Sequence, residues 1–207
     1  MNAEPLRSLR LRTPRLELRL PTRGELHELF RVAERGIHPP EETPFGVAWT
    51  DDLDLERFVA FHESALETWS PASWDLNLVT FLDGRVIGTQ ALHGRSFGVT
   101  REVGSGSWLG APYQGQGLGT EQRAAVLELA FSGLGARAAH SGALVHNLAS
   151  QRVSEKLGYR FGYEDTVSPR GDPVPHRNYR LARKDWRPPV AIEIEGLEQC
   201  LPLFGVS

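Results

Sequence analysis

Apolar and polar positions change period several times along the chain. RLELRL (15–20) alternates residue by residue, as a strand with one buried face does. Leu26, Leu29, Phe30 and Ala33 then recur three and four apart until Gly36, which predicts a helix over 24–36. IHPPEETPFGVAWT (37–50) is rich in Pro and Gly and reads as a loop. A second amphipathic helix is expected over 55–69, with Phe58, Phe61, Ala65 and Leu66 on or near one face. Residues 75–94 predict two strands joined at Asp83-Gly84, a hairpin turn pair. A strand softened by Gly and Ser follows over 101–110, and then a helix over 119–131 with the stripe Ala124, Leu127, Ala130, Phe131, Leu134. A strand over 138–147 leads into a helix over 148–158, which carries Ala149, Val153 and Leu157 on one side and stops at Gly158. GYRFGYEDTV (158–167) and HRNYRLAR (176–183) supply two last strands. The order predicts an α+β fold: a mixed, mostly antiparallel central sheet flanked by about four helices. We expect one domain over residues 1–186. Arg187-Pro188-Pro189 forms a hinge, and an extension over 187–207 is too apolar to float free, so it docks on its own domain or on a partner in a homodimer.

Composition narrows the function classes. At 207 residues the chain is long enough to bury a real core, and 40% hydrophobic with 24% charged residues is ordinary for a globular protein. A net charge of −3 gives no footprint for nucleic acid. The single cysteine, Cys200, excludes an internal disulfide and a cysteine metal cluster. The seven histidines show no metal-ligand spacing. No apolar stretch is long enough to span a bilayer, and the N-terminal stretch lacks the apolar core of a signal peptide. A cytoplasmic enzyme or binding module is the expectation.

The most informative stretch is YQGQGLGT (113–120), where a strand gives way to a helix. It is not a phosphate-binding P-loop, because no Gly-Lys-Ser/Thr follows. It is not the dinucleotide fingerprint either, because Thr120 stands where the third glycine belongs. Gly115, Gly117 and Gly119 let main chain approach a ligand and adopt positive φ, and the helix start adds free N–H groups and the positive end of its dipole. Together these suit a phosphate or pyrophosphate. A plain glycine-rich turn is the competing interpretation.

Gln114-Gly115-Gln116-Gly117-Leu118-Gly119 resembles the Q-x-x-G-x-G/A signature of the GNAT N-acetyltransferase family. Asn147-Leu148-Ala149-Ser150 followed by Lys156-Leu157-Gly158-Tyr159 resembles the family's later motif at the expected distance. The element order agrees, and TPRLELRLPT (13–22) looks like the RimJ/RimL-like branch that acts on ribosomal proteins. SGSWLG, YQG, GTE, RAAVL and PLFG are similar to an actinobacterial subgroup with a succinyl-CoA-binding member. The resemblance covers roughly residues 10 to 185.

This resemblance implies acetyl-CoA or succinyl-CoA as co-substrate, with no metal. Main-chain groups at Leu109 would pair with the pantetheine arm. The amides of Gln114, Gly115, Gln116, Gly117, Leu118, Gly119 and Thr120 would cradle the pyrophosphate, and Asn147 would bind the arm. An amine would attack the thioester directly. Many members carry a tyrosine acid seven residues after the motif Asn; here Ser154 stands there. The RimL-like branch relies on the serine three after the Asn, which makes Ser150 the preferred acid or thiolate stabiliser. The usual base, a glutamate on the preceding strand, falls at Gly104. Glu102, two residues back on the same face of an unbulged strand, and His93, at the end of the hairpin, are the remaining candidates for general base. Each also has a structural reading: first-turn serine, strand-surface carboxylate, buried histidine. The loop with Glu41, Glu42, Phe45 and Trp49 would wall the acceptor groove and suit a cationic amine, and Arg95 and Arg101 would meet a dicarboxylic acyl group. The expected function is N-acyl transfer to a protein N-terminus, lysine or small amine. A non-catalytic acyl-CoA-binding module is the alternative, since the usual Tyr and Glu are both absent.

Overall fold

The computed structural model describes residues 4–206. Nine strands form one sheet: β1 (Arg10–Arg12), β2 (Leu16–Arg19), β3 (Ser73–Leu82), β4 (Arg85–Arg95), β5 (Glu102–Leu109), β6 (Ala138–Leu144), β7 (Arg160–Val167), β8 (Val174–Ala182) and β9 (Glu193–Glu195). Their spatial order is β7-β8-β6-β5-β4-β3-β2-β1-β9. Among the described strands β5 and β6 are the one parallel pair, and the rest of the sheet is antiparallel.

Five α-helices accompany the sheet: α1 (Arg23–Glu34), α2 (Leu55–Glu67), the single turn α3 (Phe97–Thr100), α4 (Leu118–Glu128), which continues as a wider turn over Leu129–Gly133, and α5 (Leu148–Lys156). Their starts are written in the sequence. Thr22 and Glu25 form a reciprocal capping box on α1, the Asp54 carboxylate caps α2, and the Asn147 amide oxygen caps α5. The hairpin turns at Asp83 and Gly84, both with positive φ. In α2 the periodicity misplaces one residue: Val59 and His62 are buried, while Phe61 is 63% exposed.

The two faces of the sheet are covered unequally. α1 and α2 pack on one face over β3 and the start of β4, with Leu26, Leu29, Val32, Val59, Val79, Phe81 and Val86 as their core. α4 and α5 pack on the other, in a larger core containing Leu76, Leu78, Val126, Leu127, Phe131 and Leu157. Beyond α1 and α2, no described helix covers the first face over β5, β6, β8 and β7, although the loop between α1 and α2 reaches Trp108 of β5.

Residues 193–204 join the domain itself. β9 extends the sheet beside β1, pairing Leu11 with Ile194. Cys200 and Phe204 are fully buried, and Trp69 Nε1 donates to the Leu203 carbonyl at 2.8 Å. The tail's apolar residues thus find their partners within the chain. Three-residue strands such as β1 and β9 carry too little period to stand out in a sequence.

Candidate active site

The site begins where β5 and β6 part. They pair from Glu102 with Ala138 to Ser105 with Ser141; beyond that β5 follows β4 to Leu109 and β6 follows β8 to Leu144. The main chain of Gly106–Leu109 therefore keeps one edge unpaired by β6, in line with an extended ligand lying there.

The glycine loop follows directly. Gly115 (φ 73°) and Gly117 (φ 79°) are both left-handed, and Gly117 is the residue from which α4 starts. Residues 114–117 are exposed, and a Cβ on Gly115 would meet only open space, so room exists above the backbone. Gln114 shapes the loop through its side chain, which donates to the carbonyls of Ile37 and Leu109, each at 2.7 Å. The N–H groups of Gln114 and Thr120 are already bonded, to the Ala111 carbonyl at 3.2 Å and the Gly117 carbonyl at 3.1 Å. Among the described residues the amides from Gly115 to Gly119 have no such partner outside the helix, which leaves them free to donate. The Leu118 side chain is buried, and Gly119 lies against Leu109 and Val153.

Sequence reasoning passed over a cation at this loop. Arg15 Nη1 donates to the Gln116 carbonyl at 3.1 Å, and its Nε holds the buried Glu121 carboxylate at 2.7 Å. Glu121 also takes the Thr13 hydroxyl at 2.6 Å. Arg15 thus stands beside the loop, fixed by a residue of α4. The TPRLELRL stretch contained it, but nothing in strand periodicity ties an exposed arginine to a loop a hundred residues on.

The proposed base residues lie on the open face. β5 runs without a bulge, so Glu102 and Gly104 share that face, and His93 on β4 is the register partner of Gly104. A Cβ at Gly104 would collide with the His93 ring. The imidazole fills the room beside Gly104. Burial is the chief reason its pKa lies below the ordinary histidine value, with Asp75 opposing the shift and Arg95 and His140 adding to it. Glu102 is tied instead to His140 Nε2 (3.0 Å) and Arg180 Nη2 (3.1 Å), which hold its carboxyl below the usual range.

The serines lie on the opposite side, on α5. Ser150 is half-buried and its N–H donates to Asn147 Oδ1 at 3.0 Å, while among the described residues its Oγ makes no hydrogen bond. Ser154, one turn on, is fully buried against α4. The sheet therefore separates His93 and Glu102 from Ser150 and Ser154, and β5 and β6 stop pairing between the two sets. Asn147 Nδ2 donates to the Pro44 carbonyl at 3.2 Å, so in this state the α1–α2 loop holds the amide expected to bind the arm. His146 Nε2 contacts the Thr43 carbonyl at 2.9 Å in the same way. Arg170 pins that loop from the β7–β8 turn, bonding Asp51 and the carbonyls of Pro40, Glu41 and Glu42. Phe45, Trp49 and Trp108 pack in sequence from loop to β5, with their rings tilted against one another. Arg95 is paired with Asp75 at 2.8 Å, and Arg101 lies over the Phe97 ring.

The resemblance is supported by comparison with known proteins. The acetyltransferase (GNAT) domain profile matches residues 15–160. RimJ of Mycobacterium smegmatis, solved with a CoA disulfide, superposes with a TM-score of 0.72 at 17% identity over 87% of this chain and 90% of that one. RimL, an α-N-acetyltransferase of ribosomal L7/L12 solved with CoA, gives 0.68 at 15% identity over 82% and 95%. A GNAT-family acetyltransferase of Bacillus anthracis gives 0.67 at 15% identity over 84% and 99%. At these identities the superpositions speak for the fold, and the profile speaks for the family. With that profile matching residues 15–160 and the fold in agreement, the chain belongs to the GNAT acetyltransferase family.

Proposed function

We propose that the protein transfers an acetyl group from CoA to a primary amine, with a protein N-terminus as the foremost acceptor class, and that succinyl is a second donor to be tested. The observation that carries this reading is the exposed Gly115–Gly119 cradle set beside the gap between β5 and β6. The cradle suits the pyrophosphate, and Arg15 adds a charge beside it. The unpaired edge of Gly106–Leu109 suits the pantetheine amides.

His93 takes the proton of the incoming ammonium. It is a stronger candidate than Glu102, because its ring fills the place opposite Gly104, whereas Glu102 is held by His140 and Arg180. The amine lone pair attacks the carbonyl carbon, the C–N bond forms, and the C–S bond breaks with its electron pair on sulfur. Ser150 Oγ donates a hydrogen bond to that sulfur and keeps its proton. Exposed Glu41 and Glu42 and the aromatic run Phe45, Trp49, Trp108 support a cationic N-terminal segment as acceptor. The α1–α2 loop must release Asn147 for the arm to use that amide. A cytoplasmic homodimer completes the reading; β7 supports the dimer with Phe161 and Tyr163, 57% and 62% exposed.

Thermal unfolding with CoA, acetyl-CoA, succinyl-CoA, ATP and NAD tests the ligand class. A ligand at ~100 times its dissociation constant stabilises by about 2.7 kcal/mol, a shift of several degrees. A shift confined to the CoA species is expected, and release of CoA on adding peptides with free N-termini distinguishes an enzyme from a binding module. No shift with any CoA species overturns the reading.

A further inference from the structure

Beneath the parting of β5 and β6, on the α4 side, lies a charge with no counter-charge. Arg123 of α4 is 3% exposed. Its Nη1 donates to Ser154 Oγ at 2.9 Å and Ser141 Oγ at 3.1 Å, and its Nη2 reaches Ser107 Oγ at 3.4 Å. Its Nε has no partner. Two further buried hydroxyls, Ser105 Oγ and Tyr159 OH, lie there with only each other for company. Among the described residues no carboxylate bonds the guanidinium. The nearby carboxylates of α4 are engaged elsewhere, Glu121 with Arg15 and Glu128 with Trp186 Nε1. Tyr159 is the titratable side chain that acts on Arg123.

Such an arrangement is poor for stability. A buried guanidinium cannot shed its proton, and three hydroxyl dipoles are a weak substitute for an anion. Its position is informative. Ser105 and Ser141 are the last register pair before the strands separate, Ser107 lies just beyond, and Ser154 is the residue seven after Asn147. The cation therefore lies where β5 and β6 separate.

We infer that Arg123 is a catalytic residue that takes up the negative charge developing on the CoA sulfur as the C–S bond breaks. This rests on the acyl-CoA reading above. The electron pair of the broken bond stays on sulfur, opposite the guanidinium, and the thiolate takes its proton from water after release. The amine's proton leaves on the other side of the sheet through His93. Ser154 is a positioning residue: it accepts from Arg123, and its Oγ lies 3.2 Å from the Ser150 carbonyl as donor, which fixes the fork in the gap. A tyrosine at Ser154 would fill the space that the guanidinium uses.

The test is a titration of CoA bound to the intact protein, followed by the ultraviolet absorbance of its thiolate. Binding is established first by thermal shift. Failure of the wild-type protein to bind CoA removes the acyl-CoA reading and this one with it. With CoA bound, we expect the thiol to ionise at lower pH than in free CoA. In Arg123→Met the shift disappears, and kcat falls on the order of 100-fold or more while KM for acetyl-CoA stays within a few-fold. Arg123→Lys keeps part of the shift, and it serves with the wild-type titration should the Met variant not fold. Ionisation of wild-type-bound CoA at or above the pH of free CoA overturns the inference. So does a Met variant that loses only its preference for succinyl-CoA over acetyl-CoA, which would assign Arg123 to an acyl carboxylate.

Discussion

The two faces of the sheet around β5 handle charge in opposite ways. On the open face Glu102, His140 and Arg180 lie near water beside the more buried His93, and the carboxylate is satisfied twice over. On the closed face Arg123 is sealed among hydroxyls with nothing opposite it. Surface ion pairs of the first kind contribute little and can be exchanged freely. A dry, unpaired cation of the second kind persists in spite of folding, and that points to a use. His62, buried under α2, gives the contrasting response. Burial pulls its pKa from 6.5 down to about 4, so it sits in the core uncharged. Arginine has no such option.

The comparison can be broken most sharply at His93. His93→Ala should lower kcat/KM by roughly 100- to 10,000-fold with acyl-CoA affinity preserved, if the open face holds the base. A loss below threefold in steady-state assays would move the base elsewhere. In the wild type, kcat/KM should rise with pH on a limb centred below the ordinary histidine value, because the neutral ring is the base and its pKa is lowered. His62 sharpens the contrast in stability. Below pH 6.5 the unfolded chain takes up a proton there that the folded one refuses until about 4. Stability is therefore complete above pH 6.5 and declines toward pH 4, by about 3 kcal/mol from this group. Urea melts of wild type and His62→Phe across that window should diverge as pH falls. Gly104→Ala should displace the His93 ring and cost activity on the order of tenfold while leaving bound-CoA titration unchanged, which would keep the faces independent. Glu102→Gln should do least: under 1 kcal/mol in melts and a few-fold in rate.

Much of this was legible from residues alone. Asp83-Gly84, the glycine loop and the Asn147 motif carry local chemistry that only a few conformations satisfy, so their place in the fold followed. Arg123 did not follow. The stripe Ala124, Leu127, Ala130, Phe131 assumes a helix with one wet side, and on that pattern Arg123 falls outside. α4 has little wet side: Glu121, Gln122 and Arg123 are all buried, each with a polar partner from a distant segment. Periodicity reports amphipathicity, and a helix enclosed all round has little to report. The tie between Arg15 and the loop was hidden for a similar reason, since it depends on the sheet bringing β2 beside the start of α4.

The tail has a consequence for how the protein is made. β9 is the outer neighbour of β1, and Phe204 closes against Trp69 and Trp74 edge to face. Along the chain β1 precedes β9 by some 180 residues. Until the segment from Glu193 onward has been synthesised, β1 has a bare edge, and the apolar residues around it lack their cover. Nascent chains stalled or cut before Glu193 would thus expose the β1 edge, where another nascent strand could pair with it.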